Sequence, residues 1–199
     1  MRTFLLALSL AASAAAQTKA YLTHGSTNLV TVLDTASDIS VRTILAGTTP
    51  SRVAASRDRT RVYVANTGFS SISVIDTQSD TITNTFSLSA VPNAVAVSAS
   101  GAALYVGVAN SIQVLSTSTG AVISPIPVTG TATGLAVTPD GAQLFAAAGR
   151  LVAIDTATNA VTNTGLTAGA TDVLIHPSSN RVFAQISGFE TEVSPSWIV

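Results

Sequence analysis

Five aromatic residues, Tyr21, Tyr63, Tyr105, Phe145 and Phe183, recur along this 199-residue chain at steps of 42, 42, 40 and 38. An Asp-Thr pair keeps the same rhythm at Asp34-Thr35, Asp76-Thr77 and Asp155-Thr156, with Ser116-Thr117 in the third slot. Each aromatic after the first lies seven positions beyond Ser56, Ser98, Thr138 or His176. Such a chain repeats one supersecondary unit that buries its faces against copies of itself. A period near forty, filled with short β-like runs, is the mark of a propeller blade.

The second unit serves as template. It predicts strand A over 52–56, B over 61–66, C over 72–76 and D over 81–88. Side chains alternate along a strand, so Val62 and Val64 face one way and Tyr63 the other. Both sets are apolar, which predicts burial on both faces between neighbouring blades. Composition agrees: 10% of residues are charged against 47% hydrophobic, as expected of strands covered on both sides. Strand D reads differently, with Thr81, Thr83 and Thr85 alternating with Ile82, Asn84 and Phe86. That pattern suits a wetter outer strand whose polar groups blunt the exposed edge.

The turns carry their own chemistry. Between A and B stand Ser98-Ala99-Ser100-Gly101, Thr138-Pro139-Asp140-Gly141 and His176-Pro177-Ser178-Ser179. Pro presets the first central position of a type I turn, Asp suits the second, and Gly closes it. Between C and D, five-residue turns begin at Asp34, Asp76, Ser116 and Asp155 and end at Asp38, Asp80, Gly120 and Asn159. Those last four are the residue types that best tolerate the left-handed region, so a type I hairpin loop is expected.

These residues resemble the YVTN-type β-propeller repeat of surface-layer and exported bacterial proteins. Arg61-Val62-Tyr63-Val64-Ala65-Asn66 stands where that motif reads Y-V-T-N, with Ala65 in place of Thr. Ser73-Val74-Ile75-Asp76-Thr77 is similar to its V-x-V-I-D-T portion, and Thr138-Pro139-Asp140-Gly141 to its S-P-D-G turn. The likeness covers about residues 20–187. It departs at Ser116, which replaces Asp, and at Ala146-Ala147-Ala148, which replaces V-T-N. What it implies is a propeller fold and export, not one chemistry, because propellers host many functions.

Arg2, the apolar run 4–12 and Ala14-Ala15-Ala16 before Gln17 predict a signal peptide over 1–16. The run is shorter than the about 20 residues a membrane helix needs, so no transmembrane anchor is expected after cleavage. The predicted location is secreted, periplasmic or at the cell surface. The chain has no Cys, so its stability there rests on packing alone. With Arg2 removed, eight basic residues face ten acidic ones, and no general attraction to nucleic acid or membrane follows.

Residues 17–187 hold the repeats, as units near 20–50, 51–91, 92–130, 131–169 and a partial 170–187, followed by a divergent tail over 188–199. The first unit begins at a B strand (20–24), while the C-terminal part supplies an A strand (171–175) and a further B strand (181–186). Joining the ends would leave a strand over. The expected architecture is all-β: a propeller of four-stranded antiparallel blades, about four and a half of them, in an open arc. Family members close with about seven blades, within the general range of about 4–8, so a truncated copy is the reading that fits. An open arc exposes an apolar blade face at each end, which invites self-association.

The Asp-Thr positions could suggest a ring of carboxylates, but turn chemistry accounts for them: an Asp there accepts backbone N–H groups two residues on, and Ser116 would do so more weakly. His24 and His176 are a poor metal set without Cys, and no metal or cofactor is expected. His176 reads as a polar cap on its turn. Arg57-Asp58-Arg59-Thr60-Arg61 reads as a solvated face, with no neighbouring aromatics for base stacking. Among the channel-side A strands, Arg52, Asn93, Asp172 and His176 are the candidate ligand-binding residues, and no catalytic set is assigned. Two classes of function remain open. One is an exported, non-enzymatic binding or scaffold module for a protein, glycan or cell-envelope polymer. The other is a propeller enzyme or subunit, a lactonase-like hydrolase or a quinone- or haem-linked oxidoreductase, beside a truncated copy with no role of its own.

Overall fold

The computed structural model describes residues 18–165, 169–176 and 181–186, and the backbone of 189–193. The leader predicted over 1–16 and the turn after His176 lie outside the described residues. The described residues form five consecutive antiparallel sheets, and these are propeller blades. The first pairs β1 (Lys19–His24), β2 (Leu29–Asp34) and β3 (Ile39–Leu45). The second contains β4 (Pro50–Ala55), β5 (Arg61–Asn66), β6 (Ser71–Asp76) and β7 (Thr81–Ser87). The third has β8 (Ala94–Val97), β9 (Ala103–Ser116) and β10 (Val122–Thr131). The fourth has β11 (Gly134–Val137), β12 (Gln143–Ala147), β13 (Leu151–Asp155) and β14 (Val161–Asn163), and the fifth β15 (Ala170–Ile175), β16 (Val182–Ile186) and β17 (Phe189–Val193). Beyond the strands the described residues hold one 3₁₀ turn, Thr67–Phe69, between β5 and β6.

Three details differ from the template. β4 starts at Pro50, because a bulge between Pro50 and Arg52 lets the strand keep pairing with β5 beyond Ser51. In the third blade B and C are continuous: β9 pairs with β8 through its first half and with β10 through its second. Asn110, at φ 56, reverses the chain between the halves, and Asn is one of the few residues that takes this conformation cheaply. In the stretch 188–199, which carries no turn signal, β17 pairs with β16 from Val182↔Val193 to Ile186↔Phe189. Among the described residues the fifth blade therefore has three strands.

Alternation along the B strands builds the core at each junction. Val62 and Val64 pack with Val30, Val32 and Ile44 of the first blade. Tyr63 and Ala65 face the other way, against Val95, Leu104 and Val106 of the third. The same exchange joins the third and fourth blades through Tyr105, Ile112, Leu144 and Ile154, and the fourth and fifth through Phe145, Leu151, Val173 and Val182. Tyr63 is 1% exposed and Val64 fully buried. Four clusters fill four junctions, and among the described residues none joins the fifth blade to the first, so the arc is open. Its end faces are apolar: Leu22 and Leu45 on the first blade and Leu174 on the fifth are exposed. Val53 is also exposed, since among the described residues no A strand of the first blade lies beside β4.

One polar clasp lies inside the first junction. Asn66, fully buried, donates from Nδ2 to Ser73 Oγ at 2.9 Å and to Ala46 O at 3.4 Å, and Ser73 Oγ donates to the same carbonyl. Gly47 makes room: a Cβ there would stand 2.6 Å from Asn66 Nδ2. A second link is Lys19 Nζ to Asp80 Oδ2 at 2.7 Å, with Tyr21 donating its hydroxyl to Asp80 Oδ1. Burial, and then this carboxylate, hold the Tyr21 phenol well above its ordinary pKa. The third blade contrasts with the first two. Between Asp80 and Asp140 the sequence has no Asp, Glu, Lys, Arg or His at all.

Candidate functional site

The A–B and C–D turns share one rim, and hydrogen bonds fix them in the same way from blade to blade. Asp34 Oδ1 accepts the amides of Ala36 and Ser37, Asp76 Oδ1 those of Gln78 and Ser79, and Asp155 Oδ1 those of Ala157 and Thr158. The carboxylate ring is thus committed to turns. Ser116 departs from the pattern, since its hydroxyl pairs with that of Ser118 at 2.8 Å and not with an amide. The residues closing these turns are left-handed as predicted: Asp38, Asp80, Gly120 and Asn159 have φ between 51 and 73.

The Thr of each Asp-Thr pair has a role that the motif alone does not disclose. Thr77 Oγ1 donates to Arg59 O, Thr117 Oγ1 to Gly101 O and Thr156 Oγ1 to Gly141 O, at 2.6–2.7 Å. Each bond ties a blade's C–D turn to its A–B turn. In the first blade, where no A–B turn lies among the described residues, Thr35 Oγ1 donates to Thr18 O. The A–B turns are braced too. Ser56 Oγ donates to Asp58 Oδ1, which also accepts the Thr60 amide, and Thr138 and Asp140 repeat the arrangement with the Ala142 amide. These bonds lower the carboxyl pKa values: Ser56, then Thr60, acts on Asp58, and the Thr138 hydroxyl acts first on Asp140. Asp76 and Asp155 are lowered chiefly by Ser79 and Thr158.

The inner strands β4, β8, β11 and β15 adjoin in that order around the channel. Counting back four from Ser56, Ser98, Thr138 and His176 gives Arg52, Ala94, Gly134 and Asp172, one equivalent position in four blades. Arg52 Nη1 lies 3.0 Å from Asp172 Oδ2, so two of the four predicted site residues meet as an ion pair across the arc. The small residues between them give it passage. A Cβ on Gly134 would sit 2.5 Å from Asp172 Oδ1.

Asn93 is not brought to this pair. It fills the slot of Ser51, Thr133 and Thr171, whose hydroxyls donate to Ala65 O, Ala147 O and Gln185 O of the adjoining B strands. In Asn93 the backbone amide bonds the matching carbonyl, Gly107 O, and Nδ2 turns to Val91 O. His176 donates its backbone N–H to Arg181 O, closing its blade's A–B turn as Ser56, Ser98 and Thr138 do. His24 sits on the first blade's outer face with Nε2 2.9 Å from Thr31 Oγ1. Among the described residues no three His, Cys, Asp or Glu side chains group as a metal site.

The basic cluster divides by position. Arg61 stands opposite Asp76 in the β5–β6 ladder, and Arg59 takes the left-handed slot held by Gly101 and Gly141 elsewhere. Arg57 reaches over the third blade to the fourth, donating from Nη1 to Pro139 O at 2.8 Å. It borders a cavity of about 300 Å³ at the channel mouth whose apolar walls include Ala55, Val97, Val137 and Ile175. A hollow of about 250 Å³ lies on its other side, beside Asp58 and Ser100. A third concavity, about 310 Å³, opens between the outer strands of the third and fourth blades, beside Arg150. Sequence reasoning placed Arg57 on a solvated face without its bond to the fourth blade and did not single out Arg150, because each acquires its setting from a neighbouring blade.

No protein-family model and no curated protein matches the chain. Solved structures do. Hydrazine synthase from Kuenenia stuttgartiensis is similar at a TM-score of 0.70 and 21% identity, over 84% of this chain and 53% of that one. A chain of the mitotic checkpoint complex is similar at 0.66 and 17%, over 80% and 53% respectively. This chain spans about half the length of each. At such identities the likeness is one of fold, the β-propeller.

Proposed function

We propose that this chain is an exported, non-enzymatic binding module that presents the A–B rim of its propeller to a protein, glycan or cell-envelope polymer. The observation that carries this reading is the bracing of that rim. Every described A–B turn is tied to its own C–D turn, and Arg57 links the second blade to the fourth across the mouth cavity. Rigidly framed loops are where binding surfaces are usually placed, and prior ordering lowers the entropic cost of association. On the rim, Asp58, Asp76, Asp140 and Asp155 are occupied in holding this frame. By its name the mitotic checkpoint complex is an assembly, and an interaction role for this chain is in keeping with that likeness.

The test is capture from a cell-envelope extract with the immobilised chain, comparing wild type with Arg57→Ala. Specific retention that weakens in the variant is the expected result. Retention of nothing across several growth conditions would refute the reading. The Arg52–Asp172 pair favours one alternative, a propeller hydrolase or redox subunit using the channel. Lactone hydrolysis by the wild type that disappears in Arg52→Ala would establish that reading, and turnover surviving the substitution would exclude this pair from it. A truncated copy without a role would show neither retention nor turnover.

A further inference from the structure

We infer that the cleft between the third and fourth blades is a binding site for a sugar carboxylate, with Arg150 as its anchor. Arg150 follows Gly149, which turns the chain at φ 73 between β12 and β13. That turn brings the guanidinium into a cleft whose other walls include Thr129, Asn163, Pro127 and Val161. Arg150 is half-buried, yet neither it nor the Thr129 hydroxyl nor the Asn163 amide makes a side-chain hydrogen bond or ion pair among the described residues. A guanidinium offers five N–H donors in a fork that fits an oxyanion with two oxygens in one plane, and at Arg150 that fork is left open toward the cleft. No carboxylate lines the cleft. None occurs in the sequence between Asp80 and Asp140, the stretch that supplies the facing strand β10.

Size and lining narrow the ligand. About 310 Å³ lies at the low end of small-molecule sites, which run from about 300 to 1,000 Å³, and is roomy for a bare inorganic anion. A hydroxyl and an amide beside the guanidinium suit a ring bearing several hydroxyls. Pro127 and Val161 offer apolar surface to its C–H face. The shared chemistry is therefore a uronic acid, free or at the end of an acidic polysaccharide. This site lies away from the A–B rim and does not depend on the reading of that rim.

The test is titration of the full chain with sodium glucuronate, glucose, inorganic sulfate and a glucuronate oligomer, followed by calorimetry and by ligand-observed NMR. Glucuronate should bind saturably and glucose at least tenfold more weakly. Arg150→Gln should weaken glucuronate at least tenfold, while Arg150→Lys, which keeps the charge but loses the fork, should fall between. The oligomer binding no better than the monomer would assign the site to free sugar acids, and tighter binding would assign it to polymer ends. Glucose binding as well as glucuronate, sulfate competing as effectively, or Arg150→Gln leaving affinity unchanged with an unaltered melting curve would each overturn the inference.

Discussion

Replacing Gly134 with Ala tests how the inner strands are held. Gly134 lies between Arg52 and Asp172 in the equivalent row, and a Cβ there would stand 2.5 Å from Asp172 Oδ1 and 2.8 Å from both Asp172 Cα and Val173 N. The carboxylate can swing aside at the expense of its ion pair with Arg52. That pair is 44% and 40% exposed, and exposed pairs contribute about 0–1 kcal/mol. The main-chain atoms cannot swing, and β15 must move. Overpacking of this kind costs about 1–3 kcal/mol, set against about 0.4–1 kcal/mol gained by stiffening the unfolded chain. Gly134→Ala should therefore destabilise by about 1–2 kcal/mol, more than Asp172→Ala, and the double variant should recover little. Urea unfolding, with the denaturant slope checked for constancy, reads all three. If Gly134→Ala costs no more than Asp172→Ala, or if Asp172→Ala restores Gly134→Ala, the close approach is one of side chains and the reasoning fails.

Arg59→Gly should stabilise the chain by up to about 1 kcal/mol, because Arg59 holds φ 62 in a slot where Gly101 and Gly141 stand in other blades; thermal unfolding would show it, and a loss would mean the Arg59 side chain contributes more than its backbone costs. Asn66→Ala should cost about 1–3 kcal/mol, since it leaves Ala46 O and Ser73 Oγ short of partners in a dry junction, and Asn66→Asp should cost more by placing a carboxylate there that cannot donate; denaturant midpoints in the reverse order would refute this. Asp58, Asp76, Asp140 and Asp155 have lowered pKa values in the folded chain. Their contribution is complete above the ordinary aspartate value of about 3.9 and is lost as pH falls through the lowered folded values, so stability should decline below about pH 4. Tyr21 and Tyr105 have raised pKa values; above about pH 10 the unfolded chain ionises them first, so stability should fall again, and an ultraviolet titration showing two ordinary phenols in the folded protein would contradict this.

The blades are legible in the sequence because alternation and turn chemistry are local. Val62, Tyr63 and Val64 announce two buried faces by themselves, and Asp76 with Asp80 specifies a hairpin loop within five residues. The partner of Arg52 is not local. Asp172 lies 120 positions away, and only aligning both on the turn residue four places later shows that they occupy one row. The Thr77, Thr117 and Thr156 bonds escape a reading that stops at the carboxylate beside them, although the recurrence of Thr in all four slots was the available signal. β17 escapes for another reason: no periodic turn precedes it, and its pairing with β16 is what defines it. Arg150 and Asn163 carry no motif, since their cleft exists only where two outer strands diverge.

The uncharged run from Asp80 to Asp140 has a mechanical consequence. The blade at the middle of the arc has nothing to protonate below the range of tyrosine, and nothing for added ions to screen. Its two junctions are held by contact among Tyr63, Val106, Ile112, Leu144 and their neighbours, which weakens on cooling. Acid therefore acts on the flanking blades, whose turns depend on carboxylates, while cooling acts on all four apolar junctions alike. Hydrogen exchange at low pH should open the fan from its sides, and chilling should loosen every junction together.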